Sequence, residues 1–233
     1  MPVKLVIFDL DDTLIKTSAI TKECYATARE YLKEKGAKET TLLHLDEKFN
    51  SPVSYHKSIK KLEEEFYRDG LKKDDVYKSI DIFNAGQASG KLEMVNGAKE
   101  VLDGIQSLRK SGKIRTVLLT SSQNKDVQDF KVKSFSLGKY FDDICIDNYH
   151  EGKTKGAALE KYQIDNKLQP EEVIVIGDKI SDEIKYANLL GMKTVRILEG
   201  RHSVAIPKKG EEHPQIEIEK ITDFLKILEE RLG

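Results

Sequence analysis

Val3-Lys4-Leu5-Val6-Ile7-Phe8-Asp9-Leu10-Asp11-Asp12-Thr13 is the stretch whose reading decides the fold. Val3, Leu5, Val6, Ile7 and Phe8 make a short apolar run, and acidic residues follow at once. A run of this kind, closed by a turn signal, predicts a strand covered on both faces. The C-terminal end of such a strand is where an open α/β sheet places its ligands. Asp9 and Asp11 therefore point into a crevice where like charges repel. A divalent cation would neutralise them. Magnesium takes oxygen ligands and is commonly bound through one or two carboxylates together with substrate phosphate. Once shielded, one carboxylate can attack phosphorus while the other carries a proton to the leaving group and later takes one from water. Asp9–Thr13 also fit a plain acidic turn in which Asp12 or Thr13 caps a helix. The rest of the chain has to decide between the two.

Further along, other strands also end on polar residues. Ile114–Leu119 reads as a strand running into Thr120-Ser121-Ser122, after a helix over Val95–Lys110 that Gly112 closes. A helix is expected from about Asp126. A third strand lies within Tyr140–Ile146, before the polar loop Asp147–Gly152. Lys153-Thr154-Lys155-Gly156 leads into a helix carrying Ala157, Ala158, Leu159 and Tyr162. Val173–Ile176 stops at Gly177-Asp178, Lys193–Ile197 is a fifth strand, Ile216–Ile218 a short edge strand, and Ile221–Leu232 a closing amphipathic helix. Strands alternating with helices mean a doubly wound, Rossmann-like parallel sheet with right-handed crossovers. One rim then gathers Asp9, Asp11, Thr120, Ser121 and Asp178, with Lys153 or Lys155 from a neighbouring loop.

Residues 17–89 differ in character. Ile20, Cys24, Ala28, Tyr31 and Leu32, then Leu42, Leu45 and Phe49, then Ile59, Leu62 and Phe66, then Val76, Ile80 and Phe83 recur at helical spacing. Breaks fall at Gly36, Ser51-Pro52 and Asp69-Gly70. Three to five helices are expected there, inserted as an all-α domain into an α/β core formed by residues 1–16 and 90–233. Tyr25, Tyr55, His56, Tyr67 and Arg68 lie in the insertion; one or two are candidates to face a substrate, though such side chains more often fill a core or a solvated surface.

Composition narrows the class. The chain has 233 residues, 39% hydrophobic and 34% charged, so a full core is expected. Formal net charge is -1, which gives no electrostatic case for nucleic-acid or membrane-surface binding. Cys24 and Cys145 form neither a disulfide framework nor a zinc spacing. With no leader pattern and no run long enough to span a bilayer, a cytoplasmic setting is expected.

The motifs taken together resemble those of the haloacid dehalogenase-like hydrolases, in the phosphatase branch with a helical cap. The resemblance rests on Asp9-Leu10-Asp11-Asp12-Thr13, the strand end at Thr120, the lysine within Gly152-Lys153-Thr154-Lys155-Gly156, and Gly177-Asp178-Lys179-Ile180-Ser181-Asp182-Glu183. It implies that Asp9 is the nucleophile and forms an aspartyl-phosphate. Asp11 would be the general acid/base and lend its backbone carbonyl to the metal. Thr120 would hold a transferring oxygen, with Leu10 and the Ser121 N–H also binding phosphate. A lysine would neutralise charge at Asp9, and Asp178 would bind Mg2+. Lys155 fits a Lys-Gly-x-x-Leu pattern 23 residues before Asp178; Lys153 fits a second pattern at 25 but lacks its prolines. Lys155 is the favoured of the two. The further metal acid is Asp182 or Glu183, four or five residues after Asp178. The presence of Asp11 argues against dehalogenation. The implied activity is hydrolysis of a small phosphorylated metabolite. The alternatives are a mutase using the same intermediate and a non-catalytic phosphometabolite-binding protein on this fold. Hinge strands are expected near Lys16-Thr17 and Ala88-Gly90.

Overall fold

A computed structural model describes residues 1–50, 54–122, 124–148 and 155–232. The chain divides into two compact units, Met1–Ser18 with Leu92–Gly233, and Ala19–Lys91.

The first unit is built on strand β1, Leu5–Phe8. Its side chains alternate between two cores, as the two-residue period of a strand requires. Val6 and Phe8 join Leu118, Ile174, Ile176, Val195 and Ile197 on one face. Leu5 and Ile7 join Val117, Leu119, Val173 and Val175 on the other. That two-sided burial is why the strand is apolar at every position. Phe8 packs edge-on against Phe141 and Phe224, with ring centroids 5.9 and 5.5 Å away.

The remaining strands of the sheet are β4 (Arg115–Ser122), β5 (Asp143–Asn148), β6 (Val173–Gly177), β7 (Lys193–Ile197) and β8 (Ile216–Ile218). They lie in the order β5-β4-β1-β6-β7-β8 with every pairing parallel. The chain steps outward from β1 through β4 to β5, then returns to β1's other side at β6. The crevice beyond the ends of β1 and β6 is therefore the topological switch point, where a doubly wound sheet binds its ligands. Helices α5 (Ala98–Lys110) and α9 (Asp223–Leu232) supply Val101, Leu102, Ile105, Phe224 and Leu228 to the first core. Helices α7 (Lys155–Asp165) and α8 (Lys185–Leu189) supply Leu159 and Ala187 to the second. Helix α6, Lys125–Ser134, follows β4.

Several boundaries differ from those expected. Helix α5 begins at Ala98 rather than Val95, because Gly97 adopts φ 84 and Val95 N–H bonds instead to the Leu14 carbonyl, 2.9 Å away. Strand β4 continues through Thr120 to Ser122 because β5 runs beside it, pairing Ser121 with Asp147. Strands β2 (Ile15–Lys16) and β3 (Glu93–Met94) form a two-stranded antiparallel ladder. The second lies at 93–94 and not near 88–90, because helix α4, Lys73–Ser89, runs on to Gly90.

In the second unit, α4 follows α1 (Ser18–Glu34), α2 (Glu39–Asn50) and α3 (Tyr55–Arg68). Gly36 and Gly70 separate α1 from α2 and α3 from α4; Ser51-Pro52 lies outside the described residues. Tyr25 stacks on Phe49 at 3.8 Å and Tyr55 on Phe83 at 4.6 Å. Tyr25 also bonds Asp46, and Tyr55 donates to Ser79 Oγ. These two tyrosines are thus core residues of the unit, and Tyr67 pairs with Glu63. Among the described residues, no helix is long and apolar enough to cross a membrane.

Candidate active site

Asp9 follows β1 and Asp178 follows β6, so sheet register alone brings them together: Phe8 pairs with Ile176, and Asp9 N–H bonds the Ile176 carbonyl at 2.9 Å. Glu183 reaches the same point. Oxygen atoms of Asp9, Asp178 and Glu183 all lie within 4.8 Å of one another, and all three residues are buried.

The backbone explains why Glu183 does this and Asp182 does not. Ile180–Ile184 form a π turn, a widened turn often found at functional sites. Glu183 Oε1 accepts the Lys179 N–H at 2.8 Å. Its carboxylate fills the space a Cβ at Gly177 would take, 2.4 Å from the Oε1 position. Any side chain at residue 177 would expel it. Asp182 lies instead 3.5 Å from Lys179 Nζ and is outside the carboxylate group. Of the two candidates for the further metal acid, the geometry brings in Glu183.

Lys155, the first residue of α7, is buried between two of these acids. Its Nζ is 2.6 Å from Asp9 Oδ1 and 2.8 Å from Glu183 Oε2. Lys153 lies outside the described residues. One ammonium faces three carboxylates, and the imbalance is visible in the proton affinities of Asp9 and Asp178. Burial pushes Asp9 up to about 7, against the pull of Lys155 and with help from Glu183 and Asp11. Burial, then Glu183 and Asp9, raise Asp178 well above the usual carboxylate range. The cluster is short of positive charge.

The side chain of Asp11 is not part of that group. It accepts from Lys131 Nζ through Oδ1 and from Gln128 Nε2 through Oδ2, both at 2.7 Å. Partial burial pushes Asp11 upward, but the Lys131 charge and hydrogen bond outweigh it and hold the carboxyl below its ordinary value. Gln128 Nε2 also donates to Thr120 Oγ1 at 3.1 Å. Gln128 and Lys131 went unnoticed in the sequence. Their signal is a buried face of α6 made of Val127, Gln128 and Lys131, where core-facing positions would ordinarily be apolar.

Around these groups the other candidate residues are ordered. Asp12 has φ 53, and its Oδ1 accepts the N–H groups of Thr17 (2.8 Å) and Ser18 (3.0 Å) at the start of α1. The helix-capping reading of the acidic turn therefore holds for Asp12, one residue away from Asp11. Gly200, at φ 61, lets the loop after β7 approach Asp12 so closely that a Cβ would sit 2.4 Å from Oδ2. Thr120 is buried, and Ser121 Oγ and Thr13 Oγ1 are buried without a hydrogen-bond partner among the described residues. Leu10 is fully buried and its carbonyl receives Leu14 N–H at 2.9 Å, so what it can offer a ligand is its own N–H.

The donor set fits magnesium. Three hard carboxylate oxygens converge under an excess of negative charge, and among the described residues no thiolate or imidazole joins them to favour a softer ion.

Comparison with known proteins shows what the chain is similar to. A glyceraldehyde 3-phosphate phosphatase of Pyrococcus furiosus is 24% identical over 99% of this chain and 95% of its own length. The pyrophosphatase PpaX of Bacillus cereus is 26% identical over 98% of this chain and 97% of its own. Among solved structures, the HAD-hydrolase YfnB of Bacillus subtilis bound to magnesium shares the fold, with a TM-score of 0.68 at 17% identity, covering 98% of this chain and 99% of that one. The family model for haloacid dehalogenase-like hydrolases matches residues 6–197, and the chain belongs to that family.

Proposed function

We propose that this hydrolase is a magnesium-dependent phosphatase of small phosphomonoesters, acting through an aspartyl-phosphate on Asp9. The observation that carries the reading is the Asp9 carboxylate at the sheet switch point, 2.6 Å from the buried Lys155 ammonium and grouped with Asp178 and Glu183. Asp9, Asp178, Glu183 and the Asp11 carbonyl are the groups that would hold the ion. When bound, it supplies the positive charge the cluster lacks. The relatives named as phosphatases support the same chemistry.

An oxygen of Asp9 attacks phosphorus, and the bond from phosphorus to the ester oxygen breaks. The leaving oxygen takes a proton from the Asp11 carboxyl. Water then attacks the phosphorus of the aspartyl-phosphate and passes a proton to the Asp11 carboxylate. The bond to Asp9 breaks and inorganic phosphate leaves. Thr120 Oγ1 and the N–H groups of Leu10 and Ser121 bind the transferring oxygens, and Lys155 holds Asp9 in place and balances the charge gathering on it. Phosphoryl transfer asks mainly for positioning and neutralisation, and this set offers both. A substrate dianion beside Asp11 raises that residue's proton affinity, which is the direction its acid role needs.

Residues 19–91 are assigned as a helical cap, inserted between the paired strands β2 and β3. A cap that closes excludes water from the first step and selects small metabolites over polymers. Cys24 and Cys145 carry no disulfide, which suits a cytoplasmic setting. The test is phosphate release, with magnesium, from sugar phosphates, nucleotides, phosphoglycolate and an aryl phosphate. Release from at least one is expected. Tight binding with no release would overturn the reading, and transfer to a second sugar hydroxyl in place of release would make it a mutase.

A further inference from the structure

We infer that Gln128 and Lys131 are positioning residues for Asp11, a two-point clamp that fixes the acid/base carboxylate relative to Thr120. The inference rests on the acid/base role of Asp11 proposed above.

Each oxygen of Asp11 has its own donor, Lys131 Nζ on Oδ1 and Gln128 Nε2 on Oδ2, both at 2.7 Å. A carboxylate held at both oxygens cannot turn about its terminal bond. The Gln128 amide nitrogen has two hydrogens. One goes to Asp11 and the other to Thr120 Oγ1 at 3.1 Å. A single amide thus bridges the proton carrier and the hydroxyl assigned to the phosphoryl group. The amide's orientation is dictated by its neighbours, since the flipped form would set Oε1 against the Asp11 carboxylate. In the observed orientation Oε1 is buried with no partner among the described residues. That unmet acceptor is a cost accepted so that the nitrogen faces Asp11.

Stability alone does not account for the pair. The Lys131 side chain is only 4% exposed, and burying an ammonium in an ion pair is often no more stable than packing apolar groups there. Both residues stand on α6, which starts within three residues of the end of β4, the strand that carries Thr120. A site group supported from a rigid element next to its partner keeps its geometry through the reaction.

The test compares kcat/KM for p-nitrophenyl phosphate and phenyl phosphate. The two are similar in shape, but the phenoxide is the poorer leaving group and depends more on a well-placed acid. Lys131→Met and Gln128→Leu are expected to lose at least about tenfold more on phenyl phosphate than on p-nitrophenyl phosphate, within the range general acid catalysis supplies. Lys131→Arg is expected to recover most of that difference. Asp11→Asn is the reference. If Asp11→Asn separates the two substrates while both clamp variants lose equally on each, the clamp is wrong and the acid/base assignment stands. If Asp11→Asn itself fails to separate them, the assignment of Asp11 is wrong and the clamp goes with it. Should Lys131→Met not fold, Gln128→Leu decides by the same criterion.

Discussion

The two sides of the crevice beyond β1 treat their carboxylates in opposite ways. On the β6 side, Asp9, Asp178 and Glu183 share one buried ammonium, and burial drives the proton affinities of Asp9 and Asp178 up. On the α6 side, Asp11 has a separate donor on each oxygen, Lys131 and Gln128, and its proton affinity falls. One side is electrostatically unfinished and the other is complete. The difference teaches where an added cation belongs, and it separates residues that need a ligand from residues that are already satisfied. The largest test of this contrast is Asp9→Asn. Turnover is expected to fall by at least about 10⁴-fold, as for other covalent nucleophiles. The metal-free protein is expected to melt no lower than the parent, because one of several repelling carboxylates is gone. Assayed phosphate release and a thermal melt check both halves; an active Asp9→Asn would erase the distinction between the two sides.

Lys155→Met should act in the contrary sense on stability. It leaves Asp9 and Glu183 buried without their cation, and breaking such a pair costs about 3–5 kcal/mol. kcat is expected to drop by about 10²–10³-fold, the usual effect of deleting one charge-stabilising donor. Lys131→Met should destabilise less, because the Asp11 side chain it leaves behind is 32% exposed and water can reach it. Equal melting losses for the two lysine variants would mean that the sides do not differ as described.

A smaller effect separates the adjacent acids. Glu183→Gln is expected to raise the magnesium concentration needed for half-maximal activity by about 10–100-fold, as losses around a metal site do. Asp182→Asn should move it by no more than about threefold, as substitutions away from the key contacts do. A magnesium titration of both variants settles the choice, and the reverse order would contradict the geometry of the π turn.

Much of this was legible in the sequence because strand periodicity is strict. An apolar run with no polar positions specifies a two-faced strand, so the β1 reading carried the sheet and the positions of Asp9, Thr120 and Asp178 with it. What the sequence left open depends on local backbone geometry. The choice between Asp182 and Glu183 turns on a π turn over Ile180–Ile184, which helical periodicity does not reveal. Gln128 and Lys131 were hidden because long polar side chains on a helix are ordinarily solvated. Their burial arises only once α6 folds beside β4. The second hinge strand lies later than 88–90 because α4 carries on to Ser89, past the weak helix former Gly86.

The smallest prediction uses pH to read the unfinished side directly. Asp9 is held at about 7 in the folded chain, against an ordinary value of 3.8. Between those values the folded state keeps a proton that the unfolded chain has released. Stability contributed by that proton is complete below about 3.8 and is lost as pH rises to about 7. Asp178 shifts in the same direction. Asp11 shifts the other way, so its contribution is present above its unfolded value and fades only in acid, outside this window. Held at the proposed site, magnesium would compete with the protons on the Asp9 side and not with Lys131. The rise in Tm on adding excess magnesium to chelator-treated protein should therefore be larger at pH 8 than at pH 6. A difference of at least about 2 °C corresponds to roughly 1 kcal/mol of extra binding free energy in a protein of this size. Scanning calorimetry at the two pH values measures it. An equal gain at both would place the cation away from the protonated pair.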